Sequence, residues 1–286
     1  AVGRWEPVDT EDVIFDIYSE NEASVCAVMD FSVFKDKLVA EGYSEDTAYA
    51  KIAHDIVIKA VRDSGFHDNL TVKGGVVMSS LTNVARRATM DMDLDFLRYP
   101  LTNEGIRKFV VNLNRVAPCR MRMAGKIETL KQQEYKGKRV RLALTDETGF
   151  SIETKIDVGV HIRADVEQSD WLFKVVTDDD AVALLANSRE QIFVEKLKSL
   201  LRFGSASTRF KDIYDMYYLS KSLRLDVVQM FLKSYVYEDA KMQENAISDV
   251  EGRLRRIFAN KTFMRNLSKP ANAWLNESAD RVADQL

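Results

Sequence analysis

Val72-Lys73-Gly74-Gly75 and Arg87-Ala88-Thr89-Met90-Asp91-Met92-Asp93 are the two stretches from which the fold can be read. The first is a short apolar strand that ends in two glycines and opens a helix at 75 to 84. The second leads into Thr89 to Leu97, which alternates with the period of a half-buried strand. Successive side chains of a strand leave opposite faces, so Asp91 and Asp93 leave the same one. Asp95 continues the alternation and leaves the register open, with 91 and 93 the preferred pair.

Outward from this core the pattern changes twice. Residues 31 to 64 read as helices, because Phe34 and Leu38, and then Ala48, Ile52, Ile56 and Ala60, recur at three- or four-residue spacing. Ser44-Glu45-Asp46 has the composition of a helix start, and Ser64-Gly65 ends the run. Strands dominate from 70 to 176, with a further helix at 103 to 116. In 139 to 144 the apolar Val140, Leu142 and Leu144 alternate with Arg139 and Arg141, and Tyr135-Lys136-Gly137 before them suits a hairpin turn. In 150 to 162 the even positions are mostly apolar, which puts Asp157 on the other face with Glu153 and Lys155. After Asp178-Asp179-Asp180 the period returns to 3.6, with helices expected near 189 to 203, 208 to 222, 225 to 235, 245 to 258 and 272 to 285. The expected organisation is α+β: a lobe over 1 to 182 with a mixed sheet and N-terminal helices, and a helical lobe over 183 to 286.

Composition narrows the class. With 46% hydrophobic and 9% aromatic residues in 286, the chain can bury a core without covalent staples. Two cysteines, Cys26 and Cys119, lie in no metal-ligand spacing, so neither a disulfide framework nor a structural zinc site is expected. No apolar run approaches membrane-spanning length and the first residues lack a signal-peptide layout, so a cytoplasmic protein with no membrane partner is expected. The net charge of -3 hides an uneven layout. Residues 1 to 30 are strongly acidic. Residues 101 to 141 are strongly basic, a local charge suited either to a polyanion or to plain solvation.

The chemistry-bearing residues fall in order along the chain. Asp91 and Asp93 form a hard oxygen pair suited to magnesium, which binds through a few carboxylates together with substrate phosphates. Asp157, on the polar face of another strand, supplies a third carboxylate as metal ligand or as base. An isolated Asp-x-Asp is a weak signal in a chain with 44 acidic residues. The turn at Lys73, Gly74 and Gly75 adds weight, because it aims backbone N–H groups and a helix N-terminus at a phosphate. Lys196 lies on a stripe with Phe193, Leu200 and Phe203, where a charge needs an anion, either a triphosphate or a carboxylate. Asp212 and Asp215 follow at i and i+3, so that one of them can orient Lys196 or a metal-bound water.

In this order the motifs resemble the AbiEii/AbiGii family of nucleotidyltransferase toxins, within the DNA polymerase β-like nucleotidyltransferase superfamily. Gly74 and Gly75 are similar to its Gly-Gly helix opening, and Arg87, Thr89, Asp91 and Asp93 to its R-x-[ST]-x-D-x-D motif. Ile156-Asp157-Val158 resembles its later aspartate strand, and Glu195-Lys196-Leu197 its Glu-Lys-Leu helix. Arg209, Lys211, Asp212, Tyr214 and Asp215 resemble its closing motif. One departure is Val76, where such toxins have Thr or Ser.

The resemblance implies a nucleotidyltransferase core binding a nucleoside triphosphate and one or two Mg²⁺ ions. Asp91, Asp93 and Asp157 would hold metal, and Lys196 would contact phosphate. Asp212 or Asp215 would position that lysine, and Arg87 and Thr89 would belong to the nucleotide site. It also implies a toxin checked by a cognate antitoxin and acting on RNA, with the tRNA 3′ end as acceptor. A protein or small-molecule hydroxyl, or nucleotide binding without transfer, are the alternatives. Arg139 and Arg141, in the basic run, are the expected RNA contacts.

Overall fold

The computed structural model describes residues 29–130, 137–161 and 168–286. The acidic segment 1 to 28 and the expected turn at Tyr135-Lys136 lie outside the described residues. The fold class expected from sequence holds: one mixed sheet with helices before it and a helical lobe after it.

Two N-terminal helices, α1 (Phe31–Ala40) and α2 (Glu45–Asp63), begin at Asp30 and Ser44, whose side chains accept from the N–H groups of Ser32 and Thr47. These caps satisfy first-turn donors that have no partner inside a helix. Strand β1 (Leu70–Lys73) runs straight into α3 (Gly74–Thr82), and β2 (Asp91–Phe96) returns antiparallel beside β1. Then come α4 (Asn103–Val116), β3 (Arg120–Met123), β4 (Glu128–Thr129), β5 (Lys138–Thr145) and β6 (Ser151–Val160). The sheet is completed by β7 (Ser169–Phe173) and β8 (Val182–Ala186). Among the described residues the strand order is β3-β5-β6-β2-β1-β8-β7, with β4 also on β5.

One expectation needs correction here. The stretch after Asp180 does not turn helical at once: β8 alternates buried and exposed residues and pairs parallel with β1 through Val72 and Ala186. Val-Ala-Leu-Leu-Ala is five residues long, too short for periodicity to separate strand from helix. The helical lobe begins at α5 (Arg189–Phe203), capped by Ser188, and continues through α6 (Phe210–Ser220), α7 (Leu225–Leu232) and α8 (Ile247–Phe258). A single last helix over 272 to 285 is also corrected. Of that range only α10 (Ala279–Gln285), started by Ser278, is helical, and a helix not expected from sequence, α9 (Lys261–Leu267), ends ahead of Pro270.

The sheet has two unlike faces. Val72, Met92, Leu94, Phe96, Val140, Leu142, Ile156 and Val158 are all buried. They leave the face covered by α2 and α4, where Phe109 packs edge-on to Phe96 with ring centroids 5.3 Å apart. The alternate residues, Asp91, Asp93, Asp95, Lys73 and Asp157, leave the other face, where Glu195 of α5 comes within 3.8 Å of Lys73. Gly159 on β6 stands opposite Asp95, and a Cβ there would lie 2.3 Å from Asp95 Oδ1. That contact is too close for an alanine methyl. Among the described residues no helix is long and apolar enough to cross a membrane. We expect Gly159→Ala to lower stability by about 1–3 kcal/mol, read as a fall in melting temperature. An unchanged melting temperature would show that Asp95 moves aside freely.

Candidate active site

Strand register assembles the acidic cluster. Asp93 sits between Lys73 on β1 and Asp157 on β6, and Asp91 stands beside Lys155 one row further along. The chain leaves β1 at Gly74 with φ +57, a conformation that favours glycine, and a Cβ there would stand 3.1 Å from Asp93 Oδ2. The glycine therefore keeps a notch open over the carboxylate. No side chain caps α3, so its first-turn N–H groups remain available to a ligand beside Asp93. Gly75 lies against Thr89, whose Oγ1 would be 2.7 Å from an added Cβ. Val76 is buried and lines a small cavity with His54 and Ile58 of α2, so this position faces α2.

The charges of the cluster are far from balanced. Burial, and next the neighbouring Asp157, push the Asp93 carboxyl up to about 6, with Asp91 adding to the repulsion and Lys73 and Arg209 opposing it. Asp157 accepts two hydrogen bonds from Arg139, at 2.6 and 2.7 Å. Asp91 pairs with Lys155 at 2.7 Å. Because the two outer carboxylates face these cations, no three acidic, histidine or cysteine groups already converge on a metal position among the described residues. The donor set nevertheless suits a hard divalent cation. It offers oxygen ligands only, from three carboxylates on one face of two paired strands, and the central one is pushed toward its protonated form by burial and by Asp157.

Across the cleft, the helical lobe contributes a second charged cluster. Lys196 on α5 is 7% exposed and bonds Asp212 of α6, with Asp215 at 2.9 Å. Asp215, fully buried, also accepts both guanidinium bonds of Arg87 at 2.5 Å. Arg209 bonds Asp212 at 2.5 Å, and its charge is felt at Asp93. Burial alone would raise the Asp212 carboxyl, but Lys196 and Arg209 hold it below the usual carboxylate range.

The site residues expected from sequence thus fall into three groups. Asp91, Asp93, Asp157, Gly74, Gly75 and Thr89 come together at the sheet, and Lys196, Asp212 and Asp215 come together on the helices. Arg87 and Lys73 join the two clusters: Arg87 reaches Asp215, while Lys73 pairs with Asp95 at 2.8 Å and lies 3.8 Å from Glu195. Neither cation points freely into the cleft. Arg139 bonds Asp157, and Arg141 stays half-exposed with Glu128 at 3.3 Å. Sequence reading missed Lys155, Arg209, Asp95 and Glu195 as partners. The alternation that selected Asp157 already placed Lys155 on its face, and the lone glycine at 159 marked the place of Asp95.

A glycine-opened helix beside a row of strand carboxylates, faced by a buried lysine, offers backbone N–H donors, oxygen ligands and a cation to a phosphate-bearing ligand. The chain matches the family described as nucleotidyl transferase AbiEii toxin, Type IV TA system, over residues 57–280, and it belongs to that family. It is therefore a nucleotidyltransferase of a type IV toxin–antitoxin system, for which the family implies a cognate antitoxin. Nucleotidyltransferases of this family generally use a nucleoside triphosphate and a divalent metal. No curated protein matches the chain. Among solved structures it is similar to an antigenic nucleotidyltransferase-like protein from Paracoccidioides brasiliensis. That likeness is 16% identity over 72% of this chain and 98% of the other, with a TM-score of 0.38, too distant to bear on the site.

Two outcomes follow from these charges. Arg87→Ala takes both guanidinium hydrogen bonds from the buried Asp215, leaving it Lys196 alone, and should cost about 3–5 kcal/mol in chemical denaturation. A loss below about 1 kcal/mol would mean that water replaces the guanidinium. At Asp93 the folded-state value of about 6 lies above the ordinary 3.8. Between these values the folded protein holds a proton that the unfolded chain has lost, so metal-free stability falls as pH rises through that window. Asp93→Asn removes the ionisation and should make the metal-free protein more stable above pH 6 by about 1–3 kcal/mol, with little difference below pH 4. Unfolding in chelator across that range checks it, and a variant less stable than the parent above pH 6 would contradict the assignment.

Proposed function

We propose that this toxin transfers a nucleotide from a nucleoside triphosphate to the terminal hydroxyl of an RNA, with tRNA as the acceptor class. The observation that supports this best is the juxtaposition of Asp93, whose carboxyl is kept protonated to higher pH by burial and then by Asp157, with the open notch at Gly74. A triphosphate laid there meets first-turn N–H groups of α3 on one side and carboxylates on the other. The basic face beside Asp157 favours a polyanionic acceptor over a small one.

In this reading Asp91, Asp93 and Asp157 would hold one or two Mg²⁺ ions, which when bound supply charge neutralisation at the phosphates and lower the barrier to displacement. The acceptor hydroxyl gives its proton to the Asp157 carboxylate, its oxygen bonds the α-phosphorus, and the bond to the β-phosphate oxygen breaks to release pyrophosphate. Lys196, with Asp212 and Asp215 fixing its ammonium group, stands on the phosphate side. Arg209 is the more exposed cation of that cluster and is placed to meet the same charge. The helical lobe completes the cleft by carrying these groups.

Incubation with Mg²⁺, unfractionated tRNA and each labelled nucleoside triphosphate in turn tests donor and acceptor together. The parent should label tRNA with one or a few nucleotides. Asp93→Ala should drop labelling by at least about 10²-fold while retaining the fold. Labelling of protein or of a small hydroxyl compound with none on RNA would replace the acceptor. Undiminished labelling by Asp93→Ala would remove the carboxylate from the chemistry.

A further inference from the structure

The basic run between 101 and 141 is divided by the sheet. Arg107, Lys108 and Arg115 are exposed on α4, whose Ile106, Phe109 and Leu113 are buried against the apolar face. On β3 the buried Met121 points to that same apolar face, so Arg120 and Arg122, both exposed, point to the other. The register then places them. Arg122 stands opposite Ala143 and Arg120 opposite Thr145, on the face of β5 that carries Arg139 and Arg141, and Arg139 stands opposite Asp157. The arginines of β3 and β5 therefore share a face with the catalytic aspartates, and those of α4 do not.

The spacing along this face follows from the sheet geometry. Strands lie about 4.8 Å apart and rise about 3.3 Å per residue, so Arg141 is roughly 12 Å from Asp93 at the backbone, Arg122 about 8 Å beyond it, and Arg120 about 7 Å further. The result is a diagonal row of arginine positions on one face of the sheet, running from the carboxylates to the β3 edge. Arg141 has Glu128 at 3.3 Å, and the other acid that these strands add to the face, outside Asp157, is Glu153.

We propose that Arg141, Arg122 and Arg120 form the track that holds the phosphodiester backbone of the acceptor strand, leading its end to Asp93, and that the basic face of α4 takes no part. This rests on RNA being the acceptor. Guanidinium groups recognise phosphate through paired N–H donors, and each contact displaces condensed counterions, which makes binding salt-dependent.

The test is tRNA binding by fluorescence anisotropy over a range of salt, without nucleoside triphosphate. It compares the parent with the double variant Arg120→Gln/Arg122→Gln and the triple variant Arg107→Gln/Lys108→Gln/Arg115→Gln. The double variant should lose about tenfold in affinity, with the slope of log affinity against log salt falling by about 1.5, two contacts' worth. The triple variant should bind as the parent does, and melting temperatures should match throughout. If the double variant keeps parental affinity, or the triple variant loses as much, the track is overturned while RNA remains the acceptor. If the parent itself binds no tRNA at low salt, the acceptor assignment fails and the track falls with it.

Discussion

The site depends on one buried contact, the paired hydrogen bonds from Arg87 to Asp215. Arg87 lies in the short connection that leads from α3 to the aspartate strand, while Asp215 lies on α6 in the helical lobe. Their separation in sequence is 128 residues. A pair this deeply buried contributes modest net stability, since both charges lose their hydration, but it tolerates few arrangements. It therefore fixes where Lys196, which shares Asp215, stands relative to Asp93. A lysine on one lobe and carboxylates on the other can address a single triphosphate only if the lobes are held in register.

The second constraint is positive charge placed against the aspartates by the chain itself. Arg139 on Asp157 and Lys155 on Asp91 are cross-strand neighbours, so their pairing follows from the strand register. They let the protein fold with three carboxylates on one face without paying the whole repulsion between them. Asp93, which lacks a pair of this kind, is pushed by burial and then by Asp157 toward its protonated form. The place where folding leaves a carboxylate unsatisfied is the place where a cation gains most.

Much of this was legible in the sequence because it follows from period. The alternation from Asp91 onward, the even apolar positions of β6 and the 3.6 period of α5 placed Asp93, Asp157 and Lys196 on their faces. The helix start at Ser44 was legible from local chemistry alone, while the caps at Thr102 and Ser188 came from the structure. What periodicity does not carry is which strand lies beside which. The roles of Lys73 and Arg139 depend on that order, that of Arg87 on how α6 packs, and all three have carboxylate partners. β8 escaped for another reason: its five residues complete the sheet through parallel pairing with β1, a contact invisible at the length of one strand. The division of the basic run into two faces likewise appears only once Met121 is known to be buried.

The central claim is that Asp93, with its neighbours on the sheet, holds a divalent cation together with a nucleoside triphosphate. The most direct measurement is a titration with Mn²⁺, followed by paramagnetic resonance, of the parent and of Asp93→Asn, each with and without nucleoside triphosphate. Mn²⁺ should bind the parent, more tightly with the nucleotide, and be lost from the variant in both conditions. Equal Mn²⁺ affinity in the two proteins would contradict it.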